Sequence, residues 1–184
     1  MGDCRLHEAA KRVLRSVGMD PGQTCVDFGC GHGNYTIPLA RIVGPAGTVH
    51  ALDKDGGKLN ELLRRADGAG LGNIRRMDSP GDSRIALDDG SVDVILLYDV
   101  LHSHYFCAEE RDALFREVAR VSSPEAVMSV FPNHMEQDEI EAEIIGRAAG
   151  IGFDVASEYR GPVVHDDGIT EGYILTFRRG GRDL

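Results

Sequence analysis

Apolar positions along the chain change period several times, and the changes mark out elements. Over 5–17 (RLHEAAKRVLRSV), Leu6, Ala9, Ala10, Val13, Leu14 and Val17 recur along one side, and Gly18 with Pro21-Gly22 ends the run, which predicts an amphipathic helix. Residues 24–28 (TCVDF) are short, apolar and β-prone, and 35–43 (YTIPLARIV) reads as the opening turns of a helix, so the glycines at 29, 31 and 33 occupy a strand-to-helix turn. The alternation continues with a strand over 48–52, a helix over 57–66, a short strand over 74–77 and a strand over 92–97 (VDVILL). That last run is almost wholly apolar, as a strand buried on both faces should be. A helix follows over about 108–121, Pro124 interrupts, a fifth strand covers 126–131, and an acid-opened helix spans 136–149. The runs 153–159 and 172–178 have no helix between them and predict an antiparallel pair. Strands alternating with helices predict an α/β fold, a mostly parallel sheet covered on both faces.

Composition narrows this little and excludes more. The chain has 184 residues, 42% of them apolar and 27% charged, which suits one soluble domain: an N-terminal helix and linker to 22, a core over 23–179, and a disordered tail over 180–184. No apolar run is long enough to span a membrane. The opening MGDCRLHEAA has no apolar stretch for secretion, and Leu6 stands where myristoylation expects Ser or Thr. Four cysteines at 4, 25, 30 and 107 without CxxC spacing read as reduced thiols in a cytoplasmic protein, with Cys25 and Cys30 as small packing residues. A net charge of -10 argues against a broad nucleic-acid footprint. The basic residues Arg64-Arg65 and Arg75-Arg76 read as a solvated helix end and strand start.

The glycine turn carries the chemistry. Glycine lets a backbone approach a ligand that a Cβ would exclude, and a helix N-terminus beside the carboxylate of Asp27 suits a ligand with both negative and positive groups, such as an amino acid joined to a nucleoside. The dinucleotide fingerprint GxGxxG is not met, because Asn34 holds its third glycine place, and Gly33-Asn34-Tyr35 replaces the Gly-Lys-Ser or Gly-Lys-Thr of a P-loop.

Asp27-Phe28-Gly29-Cys30-Gly31-His32-Gly33, with the acid Asp53 closing the second strand, resembles the motifs of class I S-adenosylmethionine-dependent methyltransferases, in particular their small, type 11-like members. The resemblance runs over nearly the whole chain. It implies a three-layer, doubly wound, seven-stranded sheet, mostly parallel with an antiparallel last strand. It also implies that Asp27, Gly29, Gly31 and Gly33 hold the methionine part of S-adenosylmethionine, with Cys30 and Tyr98 also among the cofactor-binding residues, that Asp53 binds the ribose hydroxyls, and that Lys54 lies under the adenine edge. By the same resemblance Asp78 meets the adenine amino group. Asp93 begins the fourth-strand motif, and Tyr98-Asp99 stands at its cofactor-facing end.

Methyl transfer from a sulfonium needs mainly proximity and alignment, and a base only where the acceptor loses a proton. His102 and His104, after the fourth strand, are the expected bases, His102 ahead of His104. His134 and His165 come from loops that border the expected acceptor pocket. The spacing His102-x-His104-x-x-Cys107, with His134 or Asp166 as a fourth ligand, matches no established metal site, so no metal is expected. With little chain available for a lid, either a small molecule binds in a shallow cleft or a second subunit completes the site as a homodimer. The expected activity is methyl transfer to a small-molecule acceptor. The alternative is a non-catalytic S-adenosylmethionine-binding regulator or scaffold of the same fold; a nicotinamide-dependent oxidoreductase is disfavoured by the glycine spacing.

Overall fold

The computed structural model describes residues 2–78, 83–136 and 139–180. In chain order the elements are α1 (Gly2–Val17), β1 (Thr24–Phe28), α2 (Thr36–Val43), β2 (Thr48–Asp53), α3 (Gly56–Gly68), β3 (Ile74–Asp78), β4 (Val92–Tyr98), α4 (Ala108–Val121) and β5 (Ser122–Phe131). Next comes α5, whose π-helical turns Ile140–Ile145 pass into the α-helix Gly146–Gly150, and then β6 (Phe153–His165) and β7 (Gly168–Arg179). One seven-stranded sheet has the order β3-β2-β1-β4-β5-β7-β6. Neighbours from β3 to β5 are parallel, and β7 runs antiparallel to both β5 and β6. The expected architecture is the observed one.

Period-two alternation explains the layers. On β1, Cys25 joins the apolar cluster under α1, α2 and α3, while Val26 and Phe28 join the opposite cluster with Leu114, Phe115 and Val118 of α4. On β4, Leu96 and Tyr98 take the first side and Ile95 and Leu97 the second. Parallel strands buried this way place their carboxyl ends along one edge, and the order reverses between β1 and β4, where open α/β sheets bind ligands.

Three segments depart from the sequence expectation. Pro124 does not precede β5 but lies inside it: Val92 pairs with Ser122 and Val94 with Val127, so the extra residues bulge out where no ladder bond is asked of the proline. The helix expected over 136–149 is α5, beginning in wide turns at Ile140; residues 137 and 138 of that expectation lie outside the described residues. The last hairpin is far longer than 153–159 and 172–178, pairing from Phe153–Arg179 to His165–Gly168 at its tip with one bulge between Val155 and Ser157. Pro162 sits in β6, the sheet's edge strand, where an absent N–H is tolerated. Of the expected disordered tail, 181–184 lie outside the described residues. No helix among the described residues is long and apolar enough to cross a membrane.

Candidate active site

The carboxyl ends of β1, β2 and β4 and the tip of the β6–β7 hairpin surround a cavity of 480 Å³, inside the range of roughly 300–1,000 Å³ typical of small-molecule sites. Asp27, Gly29, Cys30, Gly31, Asp53, Lys54 and Tyr98, all expected to hold the cofactor, line it.

At one end the glycine turn does three separate jobs. Gly29, at φ 79°, leaves no room for a Cβ, which would sit 2.3 Å from Val100 Cγ1. Gly33, at φ 85°, lets α3 close in, since a Cβ there would meet Leu62 Cδ1 at 2.1 Å; it packs the fold and does not line the cavity. Gly31, at φ 54°, has no protein atom within 4 Å of an added Cβ and opens onto the cavity, so its missing side chain makes space for a ligand. Much of the turn's hydrogen bonding is internal: Gly29 and Cys30 N–H donate to Leu52 O (2.7 and 3.0 Å), and Gly31 N–H donates to Asp53 Oδ2 (2.8 Å). Asp53 Oδ1 accepts from Asp55 N–H at 2.8 Å. The carboxylate is thereby aimed, with lone pairs left for a ligand's hydroxyls.

Asp27 is buried, and Thr36 Oγ1–H donates to its Oδ2 at 2.6 Å. Burial raises its pKa from the ordinary 3.8 to about 6; the Thr36 bond opposes the shift, and the nearby negative charge of Asp53 adds to it. A cation in the cavity would restore the ionised form. Burial also pushes up the Cys30 thiol and the Tyr98 phenol. Tyr98 shares a 2.8 Å hydrogen bond with Ser129 Oγ and packs edge-on to Tyr35, so it is a wall and not a proton carrier. Lys54 Nζ lies 4.7 Å over the Tyr105 ring, joining the β2 end to the loop after β4.

The other end is polar and comes from distant segments. Asp99, directly after β4, accepts or shares a hydrogen bond between Oδ2 and His165 Nε2 at 3.0 Å. The hairpin tip that carries His165 is fastened over the cavity by Asn34 Nδ2, which donates to Asp166 O at 2.7 Å. Arg111, buried on α4, holds the post-β4 loop by donating to Phe106 O (2.9 Å) and Leu101 O (3.3 Å) while paired with Glu143.

His102 and His104, the expected bases, do not line the cavity. His102 sits behind Asp99, with Nε2 3.8 Å from Asp99 Oδ1, and its ring meets those of His104, Tyr105 and His134. Partial burial lowers its pKa against the opposing pull of Asp99. Asp78 also stands apart: its side chain is 71% exposed and accepts from Arg76 Nε at 2.8 Å. Cys107 begins α4, and its N–H donates to Glu110 Oε2 at 2.8 Å. His165 faces the cavity because the hairpin is long enough to reach over it, a length that no simple alternation in 160–171 announces, and Asp99 faces it from the end of β4. The one signal for Asp99 was its place at the end of an apolar central strand.

A family model described as a methyltransferase domain matches residues 25–125. A ribosomal RNA small subunit methyltransferase of Alkaliphilus metalliredigens is 28% identical over 88 residues, 46% of this chain and 25% of that protein. An aklanonic acid methyltransferase of Streptomyces sp. is 36% identical over 86 residues, 44% of this chain and 39% of that protein. The match thus spans well under half the length of either relative. A solved S-adenosylmethionine-dependent methyltransferase from Aquifex aeolicus shares the fold with a TM-score of 0.72 and 22% identity, over 93% of this chain and 89% of that one.

Proposed function

Because the chain belongs to the class I S-adenosylmethionine-dependent methyltransferase family, we propose that it transfers the methyl group of S-adenosylmethionine to a small molecule carrying an ionisable hydroxyl, carboxyl or amine. One observation supports this above the rest. The cavity that Gly31, Asp27 and Asp53 open at one end is closed at the other by the paired side chains of Asp99 and His165, so donor and acceptor sites share one enclosure.

S-adenosylmethionine supplies the electrophilic methyl; the chain supplies position. With the cofactor bound, Asp27 would offer its carboxylate to the amino-acid ammonium, Asp53 would accept from the ribose hydroxyls, and the open face of Gly31 would give the ligand room. Tyr98 and Phe131 form an apolar wall that excludes water, and the Asp99–His165 pair faces the acceptor's polar atom. His165, and not His102 or His104, is the histidine that lines this end of the cavity. Alignment of this kind supplies roughly 7–11 kcal/mol of a bimolecular barrier. The cavity's size and the chain's net charge of -10 favour a metabolite over a nucleic acid, although one relative acts on ribosomal RNA. Buried unpaired thiols at Cys25 and Cys30 suit a reducing, cytoplasmic setting.

The test is incubation with methyl-labelled S-adenosylmethionine and a panel of phenols, carboxylic acids and amines. Label transfer by the wild type that Asp53→Ala strongly lowers at limiting S-adenosylmethionine supports the reading. Cofactor binding with no transfer to any acceptor favours the scaffold alternative.

A further inference from the structure

We propose that Asp99, His134 and His165 form a binding site for one divalent transition metal of the zinc type at the acceptor end of the cavity. What the ion does there rests on the methyl-transfer reading; that it binds does not.

The three side chains come from three places, the end of β4, the loop after β5 and the hairpin tip, yet one ligand atom from each lies within 4.8 Å of the others. Bonds of about 2.0–2.2 Å to zinc place neighbouring ligand atoms near 3.4 Å apart in a tetrahedral set. Asp99 and His165 already approach at 3.0 Å, and His134, exposed on its loop, is free to close the remaining gap. Two imidazoles with one carboxylate suit zinc and its first-row neighbours and not magnesium or calcium, which take oxygen ligands.

Independent observations point the same way. Asp99 Oδ1 is buried and makes no hydrogen bond, with His102 Nε2 3.8 Å away, an arrangement that is costly for a carboxylate oxygen and that a bound cation would relieve. Asp99 and His134 both hold left-handed backbone, at φ 56° and 59°, and the Asp99 N–H donates to Phe131 O at 3.1 Å, tying together two of the ligand-bearing segments. Such conformations gather where a site fixes its side chains.

Three protein ligands leave a coordination position open, the arrangement of catalytic and not structural zinc. Since Asp99 and His165 line the cavity, an ion held between them would stand at its acceptor end. The acceptors that fit are oxygen donors, a phenolic or enolic hydroxyl or a carboxylate, in preference to amines. None of His102, His104 and Cys107, whose spacing first raises a metal, belongs to this cluster.

The experiment is equilibrium dialysis of chelator-stripped full-length protein against zinc chloride alone, with metal measured by atomic emission, for the wild type, His134→Ala, Asp99→Asn and His50→Gln. Thermal shift with S-adenosylhomocysteine is recorded on each. The expected result is one zinc per wild-type chain, undisplaced by excess magnesium chloride. His134→Ala and Asp99→Asn should lose at least about tenfold in zinc affinity, and His50→Gln should not. His134 is exposed, so its loss should leave folding and the S-adenosylhomocysteine shift intact. Absence of stoichiometric zinc, or equal zinc binding by His134→Ala, overturns the site. A zinc site without any S-adenosylhomocysteine shift upholds the site and overturns the methyl-transfer reading instead.

Discussion

Asp99 Oδ2 and His165 Nε2 lie 3.0 Å apart although 66 residues separate them. The contact exists because β4 is central and the β6–β7 hairpin overshoots the sheet, carrying its tip back across the carboxyl edge. Removing either member should therefore act on the acceptor side alone. For His165→Ala we expect S-adenosylhomocysteine affinity within a few-fold of wild type and turnover reduced on the order of a hundredfold. His102→Ala, whose ring stands behind Asp99, should lower turnover less. Measured kcat beside a ligand titration separates these; a His102 variant more impaired than the His165 variant would return the role to the earlier residue.

Asp53 aims its carboxylate through two backbone donors, Gly31 and Asp55. Asp53→Ala should weaken S-adenosylhomocysteine binding by roughly 1.5–3 kcal/mol, the value of hydrogen bonds to a charged group. Calorimetric titration reads this directly, and unchanged affinity would remove Asp53 from the site.

Asp27 links the site to pH. Its folded-state pKa of about 6 lies above the ordinary 3.8, so the folded protein keeps the proton to higher pH than the unfolded chain does. The stability tied to the neutral form is present below 3.8 and is lost as pH rises through this window. Asp27→Asn should stabilise the ligand-free protein at pH 7 by about 1–3 kcal/mol and leave it no more stable at pH 3.5. Cofactor affinity in the wild type should strengthen from pH 5 to 7 as the carboxylate ionises, and this dependence should flatten in the variant.

Two glycines of the same turn should fail in different ways. Gly33→Ala drives a methyl into Leu62 and should cost roughly 2–4 kcal/mol of stability. Gly31→Ala meets no protein atom and should cost only about 1 kcal/mol, from its left-handed backbone, while cofactor affinity falls. Denaturation of both variants with and without S-adenosylhomocysteine distinguishes packing from ligand space.

The elements that the sequence discloses are those dominated by one local force. Burial on two faces makes 92–97 almost uniformly apolar, and β4 follows; the glycines at 29, 31 and 33 mark the turn because each takes a positive φ. The misses have tertiary causes. Pro124 reads as a break, but a register jump between Val92 and Val94 absorbs it. The hairpin's outer half is made by pairing with a partner strand and not by alternation, so its length is invisible until β7 is in place, although the sequence already puts His165 beside the expected acceptor pocket. Asp78 fits its motif by order along the chain, and it lies outside the cavity lining, hydrogen-bonded to its near neighbour Arg76.

The central claim is that one cavity accepts S-adenosylmethionine, and titration with S-adenosylhomocysteine against NAD, followed by thermal unfolding, tests it most directly. At about a hundred times its dissociation constant a ligand adds roughly 2.7 kcal/mol, which for this chain length raises the midpoint by about 5–10 °C. A rise of that size with S-adenosylhomocysteine and none with NAD is the predicted result. No rise with S-adenosylhomocysteine, or an equal rise with NAD, would contradict it.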